Sequence, residues 1–114
     1  MWYVISVAEG EEEKLMPRVR RALFTAPDCK LILPKYICQR RYQGMWHTEV
    51  KTLFPGYIFV DTDCPEKVVD GLKVFSANVR PVCIGGGFYP IRKEEHEFLL
   101  NMMNEKYEIE LSVG

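Results

Sequence analysis

Several patterns that would indicate common functions are missing from this 114-residue chain. No apolar run approaches ~18 residues, and the first residues lack a charged-then-apolar leader, so the sequence predicts neither a transmembrane helix nor a secretory signal. The four cysteines are widely spaced, without a Cys-x-x-Cys pair, and only two histidines could join them. We therefore expect no zinc or other metal site, and we expect the cysteines to be buried free thiols in a reducing cytoplasm.

Patterns typical of catalysis are missing as well. The glycine run at residues 85–87 lacks the lysine and the spacing of a phosphate-binding loop, so it predicts a turn. No Ser/His/Asp or Cys/His set has a supporting motif, and His96 stands among glutamates, where we expect it to be solvated. The sequence therefore predicts a protein that is not an enzyme and that needs no cofactor.

Charge is unevenly distributed along the chain, although the formal net charge is only -1. Acidic runs lie at residues 11–13 and 105–110. Between them, residues 35–51 contain a single acid, Glu49, against the basic residues Lys35, Arg40, Arg41, His47 and Lys51. This excess predicts a local nucleic-acid-binding patch. The alternative for these residues is a solvated face with salt bridges.

The first half of the chain predicts a strand, a helix and a pair of long strands. Residues 2–7 are apolar and β-branched, and residues 11–24 have helical periodicity. Pro17 predicts a kink in this helix or a start nearer Met16. Residues 31–42 and 49–61 predict two long strands with a turn near residues 43–46. Both faces of the first strand are mixed in polarity, which suits a hairpin that projects beyond the core.

The second half predicts a helix, a strand and a final helix. Asp63 is a candidate cap for a helix with Pro65 in its first turn. Its inward residues would be Val68, Val69, Leu72 and Phe75. Residues 79–84 predict a strand and residues 92–106 a helix. The apolar stripe of this last helix would comprise Phe98, Leu99, Met102 and Met103. Residues 107–113 alternate like a strand, without an evident partner.

The order β-α-β-β-α-β followed by a helix predicts an α+β fold. It is a split βαβ (ferredoxin-like) antiparallel sheet with helices on one side and an additional C-terminal helix. Because this fold supports many functions, it does not by itself identify one.

The segment Leu53-Phe54-Pro55-Gly56-Tyr57-Ile58-Phe59-Val60 is the most informative part of the sequence. Proline and glycine should kink or end a strand there. Phe54 and Tyr57 flank the kink, and two interpretations remain open for them. They form an exposed apolar surface for a partner, or they are core residues on either side of a turn.

This segment resembles the most recognisable part of the NusG family of transcription elongation factors, within their N-terminal (NGN) domain. Trp2-Tyr3-Val4, Leu33-Pro34, Ile84-Gly85-Gly86 and Pro90-Ile91 resemble other landmarks of that domain, in the same order. The resemblance implies an NGN domain at residues 1–106. Residues 107–114 would then be a linker and the possible start of a C-terminal KOW domain.

The resemblance also implies a partner, the clamp helices of the largest RNA polymerase subunit, and promotion of processive elongation or antitermination. By motif position, the polymerase-binding residues would be Tyr3, Phe54, Pro55, Tyr57 and Ile84. For Tyr3 and Ile84, core packing is the alternative. The protein would be a bacterial, cytoplasmic monomer that does not act at a membrane.

Residues 35–60 look most like those of the LoaP-type specialised antiterminators, which recognise a hairpin in nascent RNA. Candidate nucleic-acid contacts are the basic residues of the strand pair, interleaved with aromatics, together with Lys14, Arg18 and Arg21 on one side of the first helix. Non-template DNA is an alternative recruiting element. Two other functions stay open: a housekeeping NusG-type factor without specific recruitment, and an interaction or ligand-sensing module unrelated to polymerase.

Overall fold

The computed structural model describes residues 1–24, 29–75, 78–83 and 85–104, and the backbone of residues 108–112. The elements in chain order are β1 (Trp2–Val7), α1 (Glu12–Ala22), β2 (Lys30–Ile32), β3 (Lys35–Tyr42), β4 (Met45–Thr52), β5 (Tyr57–Asp61), α2 (Pro65–Gly71), a 3₁₀ turn (Leu72–Val74), β6 (Val79–Pro81), α3 (Lys93–Met102) and β7 (Glu108–Ser112).

The central sheet has four strands in the order β2-β5-β1-β6, and each neighbouring pair is antiparallel. Helix α1 connects β1 to β2, and α2 connects β5 to β6. Two interleaved βαβ units of this kind form the split βαβ arrangement. The predicted fold class is therefore confirmed.

One face of this sheet packs against α1 and α2. Strand alternation places Ile5 and Ile58 on this face, and both are fully buried. Helix α1 contributes Leu15 and Val19, and α2 contributes Val68. Of the residues predicted to face inward from the second helical segment, Val68 and Leu72 are buried, and Val69 and Phe75 are half-buried. Each fully buried side chain of this size contributes about 1.5–3 kcal/mol relative to an exposed one.

The opposite face packs against α3. Trp2 and Phe59 are buried on this face and form a smaller cluster that Leu99 and Met103 contact from α3. Of the four residues predicted to form the apolar stripe of α3, only Leu99 and Met103 pack against the sheet. Phe98 is 63% exposed and Met102 is also largely exposed, because a ten-residue helix resting on the sheet buries only one narrow side.

The predicted long strands are each divided in two. Pro34, which is buried and lacks an N–H, separates β2 from β3. The kink at residues 53–56 separates β4 from β5. Two positive φ angles, 54° at Gln43 and 74° at Gly44, close the β3–β4 hairpin with a two-residue turn. Met45 therefore begins β4 rather than lying in the turn.

The β3–β4 hairpin belongs to a second sheet, which has the order β4-β3-β7. The alternating C-terminal segment forms β7 and pairs in parallel with β3. The Cα radius of gyration is 15.6 Å, and the longest dimension is 51 Å. A compact domain of about 100 residues would have a radius near 13 Å, so the hairpin projects from the core as its mixed faces predicted.

Two details at helix ends differ from the prediction. Helix α1 begins at Glu12 and includes Pro17, so the alternative start near Met16 is wrong; burial of Leu15 stabilises the first turn. At α2 the cap position is Cys64, and among the described residues no side chain caps this helix. Asp63 is therefore not the cap, and the Thr62 hydroxyl accepts a hydrogen bond from the Cys64 N–H instead (3.0 Å).

Within the described ranges, every helix is too short or too polar to span a bilayer.

Candidate partner-binding groove and basic hairpin

An apolar groove with a volume of about 690 Å³ lies between the kink and α3. We call it the aromatic groove. Its lining residues are Val4, Phe54, Tyr57, Phe59, Ile91, Glu94, Glu95, Phe98 and Leu99. The segment before α3 is held against β1 by a hydrogen bond from the Ile91 N–H to the Trp2 carbonyl (2.8 Å).

Strand periodicity explains why Tyr57 reaches this groove together with Phe59. Tyr57 and Phe59 are two residues apart on β5, so they share the face opposite α1 and α2. The rings of Phe54 and Phe59 meet edge to face, with centroids 5.5 Å apart. Phe54 is half-buried, whereas Tyr57 is 43% exposed. Phe54 is thus both a packed residue and part of an accessible surface.

The kink itself is held by hydrogen bonds to two other elements. Gly56 has a φ of 86°, in the left-handed region that favours glycine. Its carbonyl accepts a hydrogen bond from the Val7 N–H (2.9 Å), and its N–H donates to Glu12 Oε1 (3.0 Å). The Tyr57 N–H closes the turn onto the Phe54 carbonyl (3.2 Å). These contacts fix the positions from which both aromatics project.

Glu12 is the buried acid that supports the kink, at 4% exposure. Burial alone raises the pKa of Glu12, but hydrogen bonds from the N–H groups of Gly10 (2.8 Å) and Gly56 outweigh it and hold the pKa below its usual value. This role of Glu12 was not predicted from the sequence. A signal was present, because Glu12, Leu15 and Val19 follow helical spacing along the buried side of α1.

Of the other predicted polymerase-binding residues, Tyr3 and Pro55 do not line this groove. Tyr3 is only 6% exposed and lies on the α1/α2 face, with its ring 4.8 Å from Phe88. Burial raises the pKa of Tyr3, and the nearby acids Glu66 and Asp63 add to this effect. Pro55 is exposed but lines a neighbouring polar pocket. Ile84 lies outside the described residues.

The β3–β4 hairpin carries most of the predicted nucleic-acid contacts. Cross-strand pairing places Arg40 opposite His47 and Arg41 opposite Trp46. Because adjacent residues alternate, the two arginines lie on opposite faces of the hairpin. The rings of Tyr42 and His47 are stacked, with centroids 3.8 Å apart and 11° between their planes.

Some basic side chains of the hairpin are already paired with acids. Glu49 lies 3.8 Å from the Arg40 guanidinium and 3.4 Å from the Lys51 ammonium. Such exposed pairs contribute little, roughly 0–1 kcal/mol, so they do not prevent contact with phosphate. Arg41 is exposed and forms no ion pair within the described part of the chain.

The remaining basic candidates belong to α1 or its junction with the hairpin. Lys14, Arg18 and Arg21 are exposed on α1. Lys35, at the base of the hairpin, forms an ion pair with Glu13 of α1. The structure thus links α1 to the hairpin, and both present basic side chains to solvent.

The described residues include no cluster of three or more His, Cys, Asp or Glu side chains that could hold a metal ion. His96 is half-buried against Trp2, with ring centroids 4.5 Å apart, so the expectation of a solvated histidine was wrong. All four cysteines are free, but only Cys38 is buried, as predicted; Cys29 and Cys64 are half-buried and Cys83 is exposed. Burial, with a smaller contribution from Asp61, raises the pKa of Cys29 to about 11. Gly85 and Gly86 form a turn, as predicted.

The family model described as "Transcription termination factor nusG" matches residues 1–100 of this chain. No curated protein matches it. The matched range includes the hairpin and every residue that lines the aromatic groove.

Proposed function

The chain belongs to the NusG family of transcription elongation factors, and from that premise we propose that its aromatic groove binds the clamp helices of the largest RNA polymerase subunit. The bound domain promotes processive elongation and antitermination. Proteins of this family are transcription factors rather than enzymes, which supports a non-enzymatic role. The proposed role places the protein in the bacterial cytoplasm, as a monomer.

The observation that carries this proposal is the placement of Phe54 and Tyr57 at the accessible border of an apolar groove. Both residues project from a hydrogen-bonded kink, so little conformational entropy is lost when a partner binds them. Large aromatics of this kind dominate many interfaces. An amphipathic helix binds such a groove through its apolar face.

We further propose that a hairpin in nascent RNA recruits the protein through the β3–β4 hairpin. Arg41, Tyr42 and Trp46 are exposed near its tip, where the arginine can contact phosphate and the aromatics can stack on unpaired bases. This role corresponds to the LoaP-type subtype. Recruitment by non-template DNA, and a housekeeping role without specific recruitment, are the alternatives that nucleic-acid binding assays distinguish.

The substitution Phe54→Ala tests polymerase binding. The variant should lose about 2 kcal/mol or more of binding free energy for the isolated clamp helices, as expected for a hot spot. Isothermal titration calorimetry measures this loss, and circular dichroism checks that the domain stays folded. Phe24→Ala is the matched control, because Phe24 is 80% exposed and does not line the groove. Equal affinities of the Phe54→Ala variant and the wild type would contradict the proposal.

A further inference from the structure

Two carboxylates border the otherwise apolar groove. Glu94 and Glu95 lie in the first turn of α3, and both are exposed. The other lining residues are hydrophobic or aromatic. Neither glutamate forms an ion pair with the residues that the structure describes. A partner in the groove would therefore meet two negative charges that are not held in ion pairs within the described residues.

The charges have a defined position along the groove. Glu94 and Phe98 are four residues apart on α3, as are Glu95 and Leu99, so each acid stacks one turn before an apolar residue. At 1.5 Å per residue, the acidic turn and the apolar turn are about 6 Å apart along the axis of α3. The wall that α3 contributes to the groove is thus acidic in its first turn and apolar in the next.

We propose that Glu94 and Glu95 are specificity-determining residues that select and orient a partner helix. The helix they fit has an apolar stripe with a Lys or Arg about one turn away along the same side. This inference rests on the proposed function, since it adds charge selection to the same groove. Rim charges of this kind set the register of a complex and reject partners of the wrong sign.

Charge complementarity points to a basic helix rather than to a neutral or acidic segment. An acidic or neutral helix filling the apolar floor would leave the two carboxylates unpaired or facing like charge. A basic residue beside the stripe would pair with them at the solvent-exposed border, where little desolvation is required. For a partner helix that lies along α3, reversal would place the basic residue over Phe98 and Leu99 instead, so one orientation is favoured.

Both glutamates also lie where the dipole of α3 favours negative charge. The experiment must separate this stabilising effect from contact with the partner. Glu97 is the matched control, because it lies on α3, is exposed and does not line the groove. A charge-swap rescue separates the two effects further, since a purely structural role would not respond to a change in the partner.

The experiment measures binding of this chain to a recombinant fragment of the clamp helices of RNA polymerase by calorimetry. The double variant Glu94→Lys/Glu95→Lys should lose affinity by about tenfold or more at low salt, with a smaller loss at high salt because rim charges are screened. Glu97→Lys should bind like the wild type. A clamp-helix fragment with its flanking basic residue changed to Glu should bind the double variant more tightly than it binds the wild type.

Unchanged affinity of the double variant would overturn the inference, as would a loss that neither salt nor the partner swap alters. If the double variant is unstable, Glu94→Gln/Glu95→Gln should show a smaller loss of affinity with the same salt dependence. Phe54→Ala keeps the two proposals distinguishable. If it abolishes binding while the glutamate variants have no effect, the groove binds polymerase without charge selection. If Phe54→Ala has no effect, the proposed function itself fails.

Discussion

The two sheets of this molecule differ in what covers them. The central sheet is covered by α1 and α2 on one face and by α3 on the other, and most side chains of β1 and β5 are buried. Strand β4 of the hairpin is exposed or half-buried along its whole length, with Met45 and Trp46 more than half exposed. The central sheet therefore determines stability and the shape of the groove, whereas the hairpin carries surface chemistry that can change at little cost to the fold.

The largest expected loss of stability tests whether the central sheet, rather than the hairpin, determines the stability of the domain. Ile58→Ala removes a fully buried side chain from the centre of β5 and should reduce the free energy of unfolding by about 2–5 kcal/mol. The paired variant Val50→Ala changes a 52% exposed residue of the hairpin and should change that free energy by less than about 0.5 kcal/mol. Urea unfolding measures both. Similar losses would show that the hairpin belongs to the core.

A smaller loss of stability is expected from a substitution at Gly71, where α2 approaches α1. Gly71 has ordinary helical φ and ψ, but an added Cβ would lie 2.6 Å from Leu23 Cδ2 and 2.9 Å from the Ala22 carbonyl oxygen. Gly71→Ala should therefore destabilise the domain by about 1–3 kcal/mol through overpacking. Gly10→Ala makes no such contact but adopts a positive φ, so it separates backbone strain from crowding. A Gly71→Ala variant as stable as wild type in urea would mean that the helices separate without cost.

Glu12 connects the core to the groove, and its removal should reduce stability by less than the removal of the Ile58 side chain. Glu12→Ala leaves the N–H groups of Gly10 and Gly56 without their acceptor and should cost about 1–3 kcal/mol of unfolding free energy at neutral pH. Glu13→Ala, which removes an exposed ion pair with Lys35, is the matched control and should cost less than about 1 kcal/mol.

The stabilising contribution of Glu12 should decrease as the pH falls. Because folding lowers the pKa of Glu12, its contribution is fully present above the ordinary pKa of a glutamate, near 4.5. The contribution is lost as pH falls through the folded-state value. Glu12→Gln should therefore lose less stability than wild type between neutral and acidic pH in urea titrations. Identical pH profiles would show that the carboxylate is not the group that titrates.

The smallest expected effect on stability is that of changing Arg40 and Arg41 to Ala together, within about 0.5 kcal/mol. RNA affinity should fall, and the log-log salt slope should become shallower by about 0.7–0.9 for each phosphate contact that is lost. Clamp-helix binding should not change, since the hairpin residues do not line the groove. Lys67→Ala on α2 is the control cation.

Gel shifts with leader RNA hairpins from candidate operons, compared with matched duplex DNA, test this prediction and the recruitment proposal together. Binding to DNA alone would indicate a DNA-recruited factor. Lack of binding to either nucleic acid would favour the housekeeping role.

Much of the fold could be predicted because local patterns and tertiary packing agree. The alternation of β1 and the helical spacing of Leu15 and Val19 lead directly to the core face that the structure shows. The predictions failed where one residue interrupts a continuous pattern. Residues 31–42 have the composition of a single strand, yet buried Pro34 divides them.

The candidate site was predictable only in part, for a similar reason. The Pro55-Gly56 kink identified Phe54 and Tyr57 without structural information. Which residues share their surface depends on the face of the sheet. Tyr3 and Val4 are neighbours in sequence, but only Val4 lines the groove, because consecutive strand residues point to opposite faces.

The sequence by itself determined the succession of the three helices, the kink and the excess of positive charge in the hairpin, because each depends on residues close together in the chain. Tertiary structure alone decided the position of α3 across the sheet, the support of Gly56 by Glu12 from 44 residues away, and the meeting of Glu94 and Glu95 with the aromatic groove. These features depend on contacts between distant segments, where packing and burial, rather than local propensity, determine which side chains meet.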